Sequence, residues 1–181
     1  MLEQALSAAQ EHGVEDLGFV HNISRRDFDG RVTFRFRTQV PCMEYLSLLI
    51  ENAVLLRTNR AGRVYAGFEK LSHMEAIADR YLRMADLSER VYVFGEADWL
   101  PPRHPNMRAI AVSPNCRLAR EWFVITCSAT MHVALVGFDE RWAGAMDSAE
   151  RQFSAFKSSD PAVVMKLAEV AEGLVDASLA A

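Results

Sequence analysis

The spacing of apolar positions changes several times along the chain, and each change marks a predicted element. Leu2, Leu6 and Ala9 recur at helical spacing, which predicts a short first helix stopped at His12–Gly13. "DLGFVHNIS" is expected to be a short strand. In "GRVTFRF", Val32, Phe34 and Phe36 alternate with Arg31, Thr33, Arg35 and Arg37, so a strand with one core face is predicted. Pro41 then opens a helix, because its missing N–H costs nothing in the first turn. Met43, Leu46, Leu49, Ile50, Ala53 and Val54 lie on one face of it, with Leu48 and Leu55 on the other, so most of its circumference should be covered. Glu51 and Asn52 are expected at its solvent edge. A buried Glu51 would need a hydrogen-bonded partner or would keep its proton.

After the Asn59–Gly62 turn, "RVYAGFE" reads as a second clear strand. "KLSHMEAIADRYLRMADLSE" is then a helix with Ser72 and Glu75 as a capping box. Its apolar stripe is Met74, Ile77, Ala78, Tyr81 and Leu82, and Glu75, Asp79, Arg80 and Arg83 are expected in solvent. "RVYVF" has the composition of a well-covered strand, followed by Gly95 and a loop with Pro101, Pro102 and Pro105. "MRAIAVSP" predicts another strand. Two more, about 121–127 and 131–138, are joined by "SAT" and so must be antiparallel. The tail predicts a short helix near 145–157 and a longer one opened by Asp160–Pro161, with Val164, Leu167, Ala168, Ala171, Leu174 and Val175 in a stripe. The expected fold is α/β: a mixed sheet of about five to seven strands with helices packed on it, an antiparallel hairpin in the C-terminal half, and C-terminal helices. Residues 1–181 read as a single domain with a helical C-terminal extension over 145–178.

Composition changes this picture little. The chain is 50% hydrophobic and 24% charged, ordinary for a globular protein with a real core. Its formal charge of −4 gives no electrostatic case for nucleic acid, and clusters such as "SRRDF" and "RTNRAGR" are local. The first helix is acidic and amphipathic, unlike a signal peptide, and no run approaches the ~18 to 20 apolar residues that cross a bilayer. Cys42, Cys116 and Cys127 are odd in number without metal-like spacing, so a reduced, cytoplasmic setting is expected.

Candidate chemistry is sparse. His12, His21, His73, His104 and His132 show no ligand spacing on one element, and no metal is predicted. There is no nucleophile elbow, and Cys127 reads as a small core residue. "FGEADW" has one glycine, and Glu96 and Asp98 would repel a phosphate, so they are read as solvated loop acids. No catalytic residue and no cofactor is predicted. Trp99, Trp122 and Trp142 lie near strand ends, where Trp99 either walls a pocket or covers the core.

The order of motifs carries more. "YLSLLIENAVL", then "VYAGFEKLSHMEAIADRYLRMADLSERVYVFGEAD", then "LAREWFVITCSATMHVALVGFDE" resembles the DICT sensory domain, found in bacterial diguanylate cyclases and two-component kinases. The resemblance rests on Ile50–Glu51, on Phe68 with Arg80 and Tyr81, on Val91, Val93, Phe94 and Gly95, and on Glu121, Trp122 and Phe123. It covers roughly residues 40 to 140 and implies a bacterial sensory or interaction module without established catalytic residues. With no cyclase or kinase in the sequence, a stand-alone module is expected. Its first candidate activity is binding a small molecule between Tyr81, Phe94, Trp99 and Trp122, with Glu51 or Glu121 orienting it. A signalling partner or a second copy of the chain is the other expected partner, with neither nucleic acid nor membrane involved. In a dimer, Leu167, Ala171 and Leu174 would form the seam, unless that stripe covers the chain's own sheet. A flavin-type enzyme with its site in the 95–106 loop is the remaining alternative.

Overall fold

The computed structural model describes residues 1–10, 13–57, 61–140 and 151–180. Its centre is an eight-stranded mixed sheet: β1 (Glu15–Phe19), β2 (Thr33–Gln39), β3 (Arg63–Lys70), β4 (Arg90–Glu96), β5 (Met107–Ala111), β6 (Glu121–Cys127), β7 (His132–Asp139) and β8 (Gln152–Ser158). The strands lie in the order β1-β2-β8-β7-β6-β3-β4-β5. β1 pairs parallel with β2, and β3, β4 and β5 are parallel to one another, whereas β2–β8, β8–β7, β7–β6 and β6–β3 are antiparallel. The expected division therefore holds, with crossover helices in the front half and direct antiparallel links at the back.

Helices cover both faces. α1 (Leu2–Ala9) and α5 (Pro161–Ala180) share one side, where Leu2, Ala5, Leu167 and Ala171 pack on Tyr65, Phe94, Phe123 and Phe156. α3 (Val40–Leu55) and α4 (Ala78–Asp86) lie on the other, above Val64, Ala66, Val93, Val124 and Leu135. A short helix missing from the sequence reading, α2 (Arg25–Gly30), adds Phe28 to this second face; Ser24 caps it, accepting the Asp27 N–H at 3.1 Å. Val32 precedes β2 and is exposed, while Phe34 and Phe36 are core as expected.

Two predicted elements differ. The region expected as one capped helix is a 3-10 turn over Leu71–Ile77 followed by α4. No capping box forms, because Asp98 takes the Ser72 N–H at 3.0 Å and its hydroxyl at 2.6 Å. Asp98 is thus a structural clamp holding the loop after β4 to the start of this turn. Gly95 lets the two approach: a Cβ there would stand 3.0 Å from the Leu71 backbone nitrogen. The helix expected near 145–157 is the larger correction. Residues 141–150 lie outside the described residues, and 152–158 form β8, inserted between β2 and β7. Phe153 and Phe156 are buried on opposite faces, so this strand is covered on both sides and lacks a clean alternation of polar and apolar residues.

β8 also buries a charge carrier. Lys157 is 1% exposed, lies over the Phe28 and Phe34 rings at 5.1 and 5.7 Å, and donates to the Arg31 carbonyl and to Ser159 Oγ. Burial lowers its pKa from 10.5 to about 8. Between those values the unfolded chain binds the proton more tightly, so folding stability should rise with pH across that window. Chemical denaturation at intervals from pH 8 to 10.5 checks this: the rise relative to Lys157→Met should be visible, and parallel curves would refute it.

Candidate functional site

A cavity of about 530 Å³ opens on the α3–α4 face, between those helices and strands β3, β6 and β8. α3 must cross from β2 to β3, which are separated by three strands, so it spans the face obliquely. α4, tied to β3 by a short connection, cannot close against all of it. Gly137 allows the close approach of α3: a Cβ there would meet Met43 Cε at 2.6 Å and Phe153 Cδ1 at 3.3 Å.

The walls are largely apolar, from Leu48, Phe68, Ile77, Trp122, Val124 and Phe153. Phe68 meets Tyr81 edge-on with centroids 5.6 Å apart, and Trp122 meets Phe153 at 90° and 5.9 Å. The Trp122 indole donates to Ser47 Oγ at 3.0 Å, fixing the ring against α3.

Glu51 is buried in this wall, 3% exposed, rather than at the solvent edge its position on α3 suggested. The Tyr81 hydroxyl donates to its Oε1 at 3.0 Å. Arg80 Nε stands 3.0 Å from Oε2 as an ion pair, but outside hydrogen-bond geometry. Two further Arg80 N–H groups reach Asn52 Oδ1 at 3.1 Å each, so Arg80, partly exposed, bridges α4 and α3. Burial raises the Glu51 pKa above its ordinary range, against the lowering effects of Tyr81 and Arg80. The Tyr81 hydroxyl is pushed well above 10 by burial and then by the Glu51 charge, so it stays a donor.

Of the predicted ligand residues, Glu51, Tyr81 and Trp122 come together here. Glu121 borders the cavity, but its carboxylate turns to the α1 face, where it accepts from Leu2 N–H at 3.2 Å and pairs with the Met1 ammonium at 2.7 Å. Phe94 packs on Phe123 beneath α5, on the opposite face of the sheet. Trp99 packs against the cluster of Met74 and Val93 and covers core. Leu167 and Ala171 are fully buried, and Leu174 half-buried, against the chain's own sheet. Trp142 and His12 lie outside the described residues. Sequence reasoning used Arg80 only as a mark of the family resemblance and passed over Phe153 and Arg151. Phe153 and Arg151 fell in a segment read as helix, and Arg80 sits on the polar side of an amphipathic stripe.

The described residues hold no group of three or more His, Cys, Asp or Glu that could bind a metal, and no helix long and apolar enough to cross a membrane. A family model described as a sensory domain in diguanylate cyclases and two-component systems, DICT, matches residues 42–138, which carry α3, α4 and most of the cavity wall. No curated protein matches the sequence. A crystal structure of polyphosphate kinase from Porphyromonas gingivalis superposes with a TM-score of 0.53 at 12% identity, over 83% of this chain and 27% of that one. At that identity the likeness concerns the fold, and the chain spans about a quarter of that enzyme.

The buried pair has a measurable pH signature. Glu51 binds a proton more tightly when folded, so its contribution to stability is greatest below the ordinary 4.5 and is lost as pH rises through the raised folded value. Glu51→Gln should therefore gain stability relative to the native chain over that interval, read from denaturation midpoints. Tyr81→Phe should cost about 1–3 kcal/mol by leaving a buried oxygen unpaired.

Proposed function

The chain belongs to the DICT family of sensory domains, and on that premise we propose that it is a non-catalytic module that binds a small molecule between α3 and α4. The observation that carries this reading is the cavity itself: its volume lies in the ~300–1,000 Å³ range typical of small-molecule sites, and its apolar walls converge on one buried polar pair, Glu51 and Tyr81. Such a site orients a ligand but lacks the parts of an acyl-transfer, phosphoryl-transfer or metal-dependent centre. Cys42 is buried, and burial raises its thiol pKa, the opposite of an activated nucleophile.

Occupancy would be transmitted because the ligand sits where two helices are held together by few contacts. Glu51 belongs to α3, and Arg80 and Tyr81 belong to α4, so a molecule wedged between them changes the spacing of both helices. A cytoplasmic signalling protein that reads the outer surface of α4 is the output consistent with this geometry. The alternative seam through Leu167, Ala171 and Leu174 is disfavoured, since Leu167 and Ala171 are already covered by their own sheet.

Native mass spectrometry of protein purified from its own host should reveal a retained small molecule. Ile77→Trp, which fills the cavity from the end of the 3-10 turn before α4, should abolish that mass while leaving the circular dichroism spectrum unchanged. An unliganded native protein whose thermal midpoint does not respond to metabolite extracts would sink the reading.

A further inference from the structure

Glu51 and Arg151 at the cavity are committed to opposite charges of the chain, and this restricts what can enter. Glu51 faces Arg80 at 3.0 Å, and Arg151 joins Glu69 at 3.1 Å and Asp139 at 2.8 Å. Arg120 donates to the Asp139 carbonyl at 2.7 Å and lies over the Phe138 ring at 4.6 Å. Glu44 and His73 sit exposed at the rim, one acidic and one basic. An ion entering would leave water for a wall whose buried carboxylate already faces a guanidinium. An anion would meet Glu51, and an ammonium near Glu51 would stand beside Arg80. Desolvation without a matching counter-charge costs several kcal/mol.

Three buried polar atoms on the lining residues nevertheless lack a hydrogen-bond partner among the described residues: Glu121 Oε2, which faces the Met1 ammonium across the sheet, Arg120 Nε, whose guanidinium lies over Phe138, and Glu51 Oε2 beside Tyr81. Glu51 Oε2 has no hydrogen-bond donor among the described residues, although the residue is almost wholly buried and lines the cavity. Arg80, its ion-pair partner among the described residues, is anchored to Asn52 and approaches out of line. A buried acceptor without a donor is a free-energy cost that a ligand can relieve.

Resting on the small-molecule reading above, we propose that the cavity takes a neutral, flat aromatic molecule bearing a hydroxyl or N–H group. The ring lies among Phe68, Tyr81, Trp122 and Phe153, and the head group donates to Glu51 Oε2. Oε2 is shielded from solvent, so the bond forms as Arg80 gives way towards Asn52, which already holds two of its N–H groups. Donor recognition and the spacing of α3 and α4 are thereby one event.

A matched probe series tests this: 2-naphthol, 2-methoxynaphthalene, 2-naphthoate and 2-naphthylmethylammonium, with binding followed by calorimetry and by tryptophan fluorescence. 2-Naphthol should bind roughly tenfold tighter than its methyl ether, the size of one hydrogen bond to a buried carboxylate, and both ions should bind more weakly than either. Glu51→Gln, which keeps an acceptor, should retain the preference for 2-naphthol. Glu51→Leu should erase it while still binding 2-methoxynaphthalene, which also shows that the variant is folded. Tighter binding of either ion, or equal binding of naphthol and ether, would overturn the ligand class and leave the cavity reading standing. If no probe binds and Ile77→Trp behaves like the native chain, the cavity reading falls with it.

Discussion

β8 lies between β2 and β7, and a strand in that position must pair its backbone on both edges and cover side chains on both faces. Without it, β2 with β1 would be detached from β3 to β7, and two open edges would face each other. The sheet is continuous because residues from the end of the chain return to its middle. This return places Phe156 under α1 and α5, Phe153 under α3, and Lys157 beneath α2. Every described helix but α4 therefore rests in part on one late strand.

The same arrangement makes the cavity. α3 has to bridge from β2 to β3 across β8, β7 and β6, farther than a crossover between neighbouring strands. It leaves a gap beside α4 that Trp122 and Phe153 floor and Phe68 and Ile77 flank. The two helices then meet through a buried carboxylate, a phenol and a guanidinium instead of a continuous apolar seam. An ion pair with a buried carboxylate is a poor source of stability compared with well-packed apolar groups, because that charge has lost its water. Its persistence beside a cavity fits a contact that can be rearranged more readily than a packed core.

The opposite face has a different character. α1 and α5 bury an apolar layer over Tyr65, Phe94 and Phe123, interrupted by the buried Met1–Glu121 pair, and Glu172 on α5 holds the Tyr65 hydroxyl and Arg63 at 2.5 Å each. That layer leaves Leu167 and Ala171 no free surface. One face of the sheet is thus closed scaffold, while the other carries the space and the polar pair.

Local pattern determined much of this protein. Phe34 and Phe36 facing the core from "GRVTFRF", the covered run "RVYVF", the helix through Tyr81, the "SAT" turn between antiparallel strands and the helix opened by Asp160–Pro161 all depend on neighbouring residues, and each is present, although Val32 falls outside its strand and the stripe through Tyr81 begins in a 3-10 turn. Sequence order also singled out the family, and Glu51, Tyr81 and Trp122, three of the residues named from it, line one cavity. Tertiary structure decided the rest, for reasons no local spacing contains. β8 has no distinguishing period because both of its faces are buried. Ser72 gave up its capping box to Asp98, 26 residues away. Arg80, still a quarter exposed, turned toward Glu51 and Asn52 on α3, because the buried Glu51 carboxylate draws a counter-charge. Glu121 was drawn to the Met1 ammonium and not to the cavity, since alternation along β6 turns its side chain to the other face. Helices and strands follow from the periods of the chain; which polar groups meet inside follows from the order in which strands enter the sheet.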